Sequence, residues 1–158
     1  MTKPKVYLET TIISYLAARP SRDLIVAANQ QITRDWWQMR RTSFDLFVSE
    51  AVVGEASAGD ESAALQRLEE IEGIPLLTLT TDAAALAEKL AREVPLPERA
   101  ITDAIHVAVA ATNGMDYLMT WNCRHLANAV LRSKIEDVCR EQGYEPPVIC
   151  TPQELMEE

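Results

Sequence analysis

The stretch Lys5-Val6-Tyr7-Leu8-Glu9-Thr10-Thr11 decides the fold. Three residues with strand propensity, Val6 to Leu8, run into one carboxylate, and two hydroxyls follow it. A strand that ends in an acid puts that acid at the rim of a sheet, where ligands bind in open α/β proteins. Glu9 is therefore expected to be the first of several metal-binding oxygens, the others coming from later segments.

Outward from that strand, strands and helices alternate. Residues 10–18 read as a short helix that Thr10 or Thr11 caps. Arg19-Pro20-Ser21 breaks the chain, and a longer amphipathic helix follows, with Leu24, Ala27, Ala28, Gln31, Ile32 and Trp36 on one stripe. Residues 44–49 form a second strand. Ser49 caps a helix over 50–58 that Gly59 stops, and another covers 60–72 with Leu65, Leu68 and Ile71 inward. A third strand spans 75–79. Thr80-Thr81-Asp82 caps an alanine-rich helix to residue 92, and Pro95 and Pro97 bound a short linker. The most apolar helix covers 99–112, a fourth strand 117–121, a helix 126–140 and a last short strand 147–150. A capped turn of helix with Pro152 at its first position begins the tail. This alternation predicts a parallel sheet with helices on both faces. With no repeat and no boundary, residues 1–158 are expected to form one domain.

Composition narrows the function. The 47% hydrophobic content argues for a globular fold, and no apolar run approaches the roughly 20 residues that span a bilayer. The start Met1-Thr2-Lys3-Pro4 leads straight into a strand, so no signal peptide and no membrane attachment are expected. Three cysteines, Cys123, Cys139 and Cys150, lack CxxC spacing and fit free thiols in a reducing cytoplasm. The formal charge is -9, from 24 acids against 15 bases. Such a surface repels nucleic acid unless metal intervenes. It suits an enzyme whose acids bind a cation, or a protein that docks a basic partner.

Among the polar residues, Asp103 is the most informative. Its neighbours Ile101, Ala104, Ile105, Val107, Ala108 and Val109 make the helix apolar on nearly every side, and a buried unpaired carboxylate is costly. It is either a first-turn acid favoured by the helix dipole or a metal ligand. His106 shares its face one turn on, as a hydrogen-bonded packing residue or a supporting partner rather than a ligand. Glu55 gains weight because its helix follows the second strand directly. Glu50, a first-turn acid beside the Ser49 cap, has an ordinary structural explanation. Asn122 follows the fourth strand at the rim that Glu9 occupies. Asp116 precedes that strand and lies at the opposite end, roughly 15 to 20 Å away at about 3.3 Å per residue. The basic cluster Arg34, Arg40 and Arg41 reads as a solvated helix end or as a phosphate contact, and Trp36-Trp37 as one core and one more exposed ring.

The ordered set "YLETTIISYL", "SEAVVGEAS", "ITDAIHVAVAA" and "YLMTWNCRHL" resembles the PIN-domain family, in particular the toxins of VapC-type toxin–antitoxin pairs. The resemblance covers most of the chain and sets Glu9, Glu55, Asp103 and Asn122 at the family's four site positions. Glu9 stands where the family usually has Asp, and Asn122 where it usually has Asp. The resemblance implies a Rossmann-like α/β/α sandwich with a central parallel sheet of four to five strands. It also implies metal-dependent cleavage of RNA phosphodiester bonds, with Mg²⁺ or Mn²⁺ held by Glu9, Glu55 and Asp103. Asn122 would complete or orient the shell, and Thr11 would bond a ligand or the phosphate. A cognate antitoxin and a homodimer are further implications. Two alternatives compete. A phosphoacceptor receiver domain needs a lysine after its last strand, where Cys150-Thr151-Pro152 stands. A PIN-like interaction protein with weakened or absent activity is compatible with Glu9, Asn122 and the net charge.

Overall fold

The computed structural model describes residues 2–95 and 100–157. Its centre is β1 (Lys5–Leu8), which pairs β2 (Asp45–Ser49) on one side and β4 (Tyr117–Met119) on the other. Outside these lie β3 (Leu76–Leu77) and β5 (Val148–Cys150), giving the order β3-β2-β1-β4-β5 with every pair parallel. Val6, Tyr7 and Leu8 are fully buried. A continuous apolar run is what a parallel strand needs when helices cover both faces.

Seven α-helices cover the sheet among the described residues: α1 (Thr10–Ala17), α2 (Leu24–Met39), α3 (Glu50–Ala56), α4 (Glu61–Ile71), α5 (Thr81–Glu93), α6 (Ala100–Thr112) and α7 (Ala129–Glu141). Right-handed crossovers from β1 to β2 to β3 run toward one edge and lay α1 to α4 on one face. The return to β4 and then β5 runs the other way and lays α5 to α7 on the opposite face. The packing of α1 on α2 and α4, and of α5 on α6 and α7, follows this division. The direction of winding reverses between β1 and β4. A crevice at such a switch point opens at the C-terminal rim of the strands, beside Glu9.

Caps mark several helix starts. Asp23 accepts from the backbone N–H of Ile25 and Val26, Ser49 from Val52, and Thr80 from Ala83. Other expectations are corrected. Neither Thr10 nor Thr11 caps α1: Glu9 holds that position without a side-chain cap, and the two hydroxyls turn to carboxylates instead. The inward stripe of α2 is not the one through Leu24 and Gln31. Leu24 is 85% exposed, and Gln30, Thr33 and Trp36 are buried. The polar pair is accommodated because Gln30 bonds Ser21 N–H and the Arg19 carbonyl, while Thr33 accepts from the Trp121 indole. Leu65 on α4 is 57% exposed rather than inward. The third strand is only Leu76–Leu77, and the fourth stops at Met119. The last helix begins at Ala129, capped by Asn128, so Leu126 lies in a turn, though fully buried. The expected helix start at Arg99 and the linker bound at Pro97 lie outside the described residues.

Arg40 and Arg41 of the basic cluster, and the tryptophan pair, have structural partners. Trp36 is in the core, and Trp37 is half-buried under the Arg41 guanidinium, 4.9 Å from its ring centroid. Arg40 lies over Phe44 and bonds the Leu155 carbonyl. Asp116 Oδ2 accepts from Lys5 N–H at 2.8 Å, at the end of the sheet remote from Glu9.

All three cysteines are free thiols: Cys123 is exposed, and burial pushes Cys139 up to about 11 and Cys150 up to about 12. Only a thiolate alkylates readily. Iodoacetamide near neutral pH is expected to add one adduct to the native chain, at Cys123, and three after unfolding in guanidinium, as read by intact mass. Rapid native modification of Cys139 or Cys150 would contradict this packing.

Candidate active site

Glu9, Thr10, Thr11, Ser14, Glu55, Asp103, Asn122 and His125 line one cleft of about 570 Å³ at the switch point. Four elements build it. β1 delivers Glu9 and α1 the adjacent hydroxyls. α3 follows β2 directly and carries Glu55 in its last turn. Apolar α6 presents Asp103, and the turn after β4 presents Asn122 and His125.

Glu9 is 5% exposed. Its Oε1 accepts from the hydroxyls of Thr11 at 2.6 Å and Thr120 at 2.5 Å. Each hydroxyl in turn accepts a backbone N–H, Thr11 from Trp121 and Thr120 from Asn122, both at 2.9 Å. Both hydroxyl protons are thus committed to one carboxylate oxygen. Among the described residues, Glu9 has neither an ion pair nor a hydrogen bond to Oε2. Burying a carboxylate with only neutral donors is costly unless a cation joins it.

Glu55 Oε1 accepts from Thr10 at 2.8 Å and lies 2.6 Å from His106 Nε2. The other ring nitrogen, Nδ1, is 2.6 Å from the Tyr7 hydroxyl, which is 2.7 Å from Ser49 Oγ. This relay runs from the cap of α3 through the core to the carboxylate on the same helix. Burial works to lower the His106 pKa. The Glu55 hydrogen bond and the charges of Glu9, Glu55 and Asp103 outweigh it, so the net shift is upward. Burial, above all, raises the Tyr7 phenol, which stays protonated.

Asp103 is 7% exposed and has different partners. Asn122 Nδ2 donates to Oδ1 at 3.3 Å, and His125 Nδ1 lies 3.1 Å from Oδ2. Burial raises the Asp103 pKa, and the charge and hydrogen bond of His125 oppose that rise. The Asn122 oxygen accepts from His125 N–H at 3.2 Å, so this amide turns its N–H toward the acid.

The structure brings all the sequence-nominated residues to this rim, in two groups. Among the described residues, ligand atoms of Glu9, Glu55 and His106 come within 4.8 Å of one another. Asp103 lies across the same cleft with Asn122 and His125. Two carboxylates at about 5 Å repel by roughly 3 kcal/mol at an effective dielectric of about 20. Among the described residues, the oxygen-rich donor set and the uncommitted Glu9 oxygen fit a hard divalent cation. Glu50 is exposed on the first turn of α3 and does not line the cleft. The residues that sequence reasoning missed are His125, Thr120, Thr10 and the Tyr7–Ser49 end of the relay. His125 had a signal, a polar residue three positions after Asn122 in the same loop. Tyr7 had none, since it reads as one more apolar strand residue.

The chain matches the family described as PIN domain over residues 6–129, and it belongs to that family. No curated protein matches at a significant level. Among solved structures, the toxin VapC20 of Mycobacterium tuberculosis, described as sarcin-ricin loop cleaving, is 16% identical. It superposes with a TM-score of 0.57, covering 72% of this chain and 86% of that one. VapBC2 from Rickettsia felis, bound to a DNA fragment from its promoter, is 10% identical with a TM-score of 0.60, covering 93% and 98%. These likenesses establish a shared fold, the α/β/α sandwich that the motif order implied.

Proposed function

We propose that this chain is a metal-dependent endoribonuclease and the toxin of a toxin–antitoxin pair. The observation that carries the proposal is the meeting of Glu9, Glu55 and Asp103 in one cleft, where buried Glu9 keeps one carboxylate oxygen uncommitted among the described residues. Membership in the PIN family, whose domains are nucleases, supports it. Glu9, Glu55 and Asp103 would hold Mg²⁺ or Mn²⁺. Such an ion offsets charge on the scissile phosphate and lowers the pKa of the water it binds.

The chain's own residues supply the setting. Thr11 and Thr120 fix the Glu9 carboxylate in one orientation, and the His106–Tyr7–Ser49 relay does the same for Glu55. Asn122 and His125 orient Asp103. The acids repel RNA until a cation is present, so metal and substrate binding are linked. A cognate antitoxin, a homodimer and a cytoplasmic location belong to the proposal. They are supported by the motif resemblance and by the fold likeness to the VapBC2 assembly. Among the described residues no helix is long and apolar enough to cross a membrane.

One observation favours a second reading, a PIN-like protein of weakened activity that acts by docking another protein. The Asn122 oxygen is engaged by His125 N–H and so is turned away from ligand duty. One assay separates the two. Purified protein with structured RNA is expected to cleave in Mg²⁺ or Mn²⁺ and not in chelator. RNA equally intact in both, together with an unchanged melting midpoint in millimolar Mn²⁺, would leave the docking role standing instead.

A further inference from the structure

Beside the cleft lies an aromatic shelf that the metal chemistry does not use. Tyr15 on α1 and Trp121 after β4 stack with ring planes 21° apart and centroids 6.2 Å apart. Near-parallel rings in contact are separated by about 3.5 Å, so 6.2 Å between centroids means a large sideways offset. Each ring covers only an edge of the other, and both residues are half-buried rather than enclosed.

The shelf is tied to the acids. Trp121 donates its indole N–H to buried Thr33 at 2.7 Å, which fixes the ring plane. Its backbone N–H goes to the Thr11 hydroxyl that itself donates to Glu9. The sequence neighbours Ser14 and Asn122 line the cleft. Tyr15 and Trp121 are therefore each one position in sequence from a residue that lines the cleft, on two separate elements. At a net charge of -9, phosphate attraction contributes little to holding RNA. Stacking on an aromatic face needs no positive charge and accepts any base.

We propose that Tyr15 and Trp121 form a subsite that stacks an unpaired nucleobase next to the scissile phosphate. This rests on the nuclease assignment and deepens it.

The test is binding without turnover. Labelled octauridylate and an octamer of the same backbone without bases are titrated by anisotropy in Ca²⁺. One stacked base is worth about 1–3 kcal/mol, which is roughly 5- to 150-fold in affinity. Wild type is expected to prefer octauridylate by at least that lower factor. Tyr15→Leu and Trp121→Leu are expected to lose the preference while binding the baseless octamer as wild type does. Tyr15→Phe, which keeps a ring, is expected to restore it. The leucine pair guards against a folding defect, because Trp121 alone also anchors on Thr33. Equal wild-type binding of the two octamers would overturn the shelf and leave the nuclease assignment intact. Binding of neither would also overturn the shelf, and the nuclease assignment is then decided separately by the cleavage assay with structured RNA.

Discussion

Asp103→Asn is expected to bring metal-dependent RNA cleavage down to the level seen in chelator, a loss on the order of 100-fold or more. The acid is one of three carboxylates facing the cleft, and charge stabilisation by a bound cation is worth several kcal/mol, with each 1.36 kcal/mol a factor of ten. Asparagine keeps the size and can still bond His125, but it removes the charge that balances the cation. The variant is expected to fold. Because burial raises the Asp103 pKa, the folded chain holds that proton more tightly than the unfolded chain does. The stability this confers is present at acidic pH and is lost as pH rises through the carboxylate range. At neutral pH without metal, the ionised acid is therefore a liability that asparagine relieves. The metal-free melting midpoint is expected to hold or rise, and the upward shift with Mn²⁺ to shrink. Retained cleavage in Asp103→Asn would remove this acid from the site.

Leu8→Ala is expected to be the most damaging single truncation of the sheet. Leu8 is fully buried, faces Met119 across the β1–β4 pair, and immediately precedes Glu9. Truncating a buried leucine costs about 2–5 kcal/mol. At about 2–4 °C per kcal/mol for a chain of this size, the midpoint falls by roughly 5–20 °C. Leu24→Ala is the control. Leu24 is 85% exposed, so its truncation is expected to cost less than about 0.5 kcal/mol. Thermal and urea unfolding read both. A Leu24 cost matching that of Leu8 would restore the helix stripe that the structure corrects.

The fold was legible where period and punctuation agreed. Val6-Tyr7-Leu8 followed by Glu9, Ser49 and Thr80 as caps, and the alternation of strands with helices all pointed one way, and each is seen. The inward face of α2 was not legible, because Gln30 is buried by bonds to the break before the helix and Thr33 by a bond to Trp121, 88 positions away. Helix periodicity counts apolar residues and cannot foresee a polar residue whose partner lies elsewhere. The acids of the cleft were legible because a carboxylate at a strand end or inside an apolar helix needs a reason. The groups that orient them were not. Thr120, Tyr7 and Ser49 matter through contacts 40 or more positions away, and no local pattern marks them.

The strand order has a temporal consequence. β1 precedes the other four strands in the chain yet sits in the middle of the sheet, with partners at residues 45–47 and 117–119. During synthesis its second side stays unpaired until residues 117–119 have been translated, and Glu9 waits equally long for Thr120. At about 5–20 residues per second, that interval lasts several seconds or more. A nascent chain that has not yet reached Thr120 and Asn122 therefore carries Glu9 without the groups that complete its cleft.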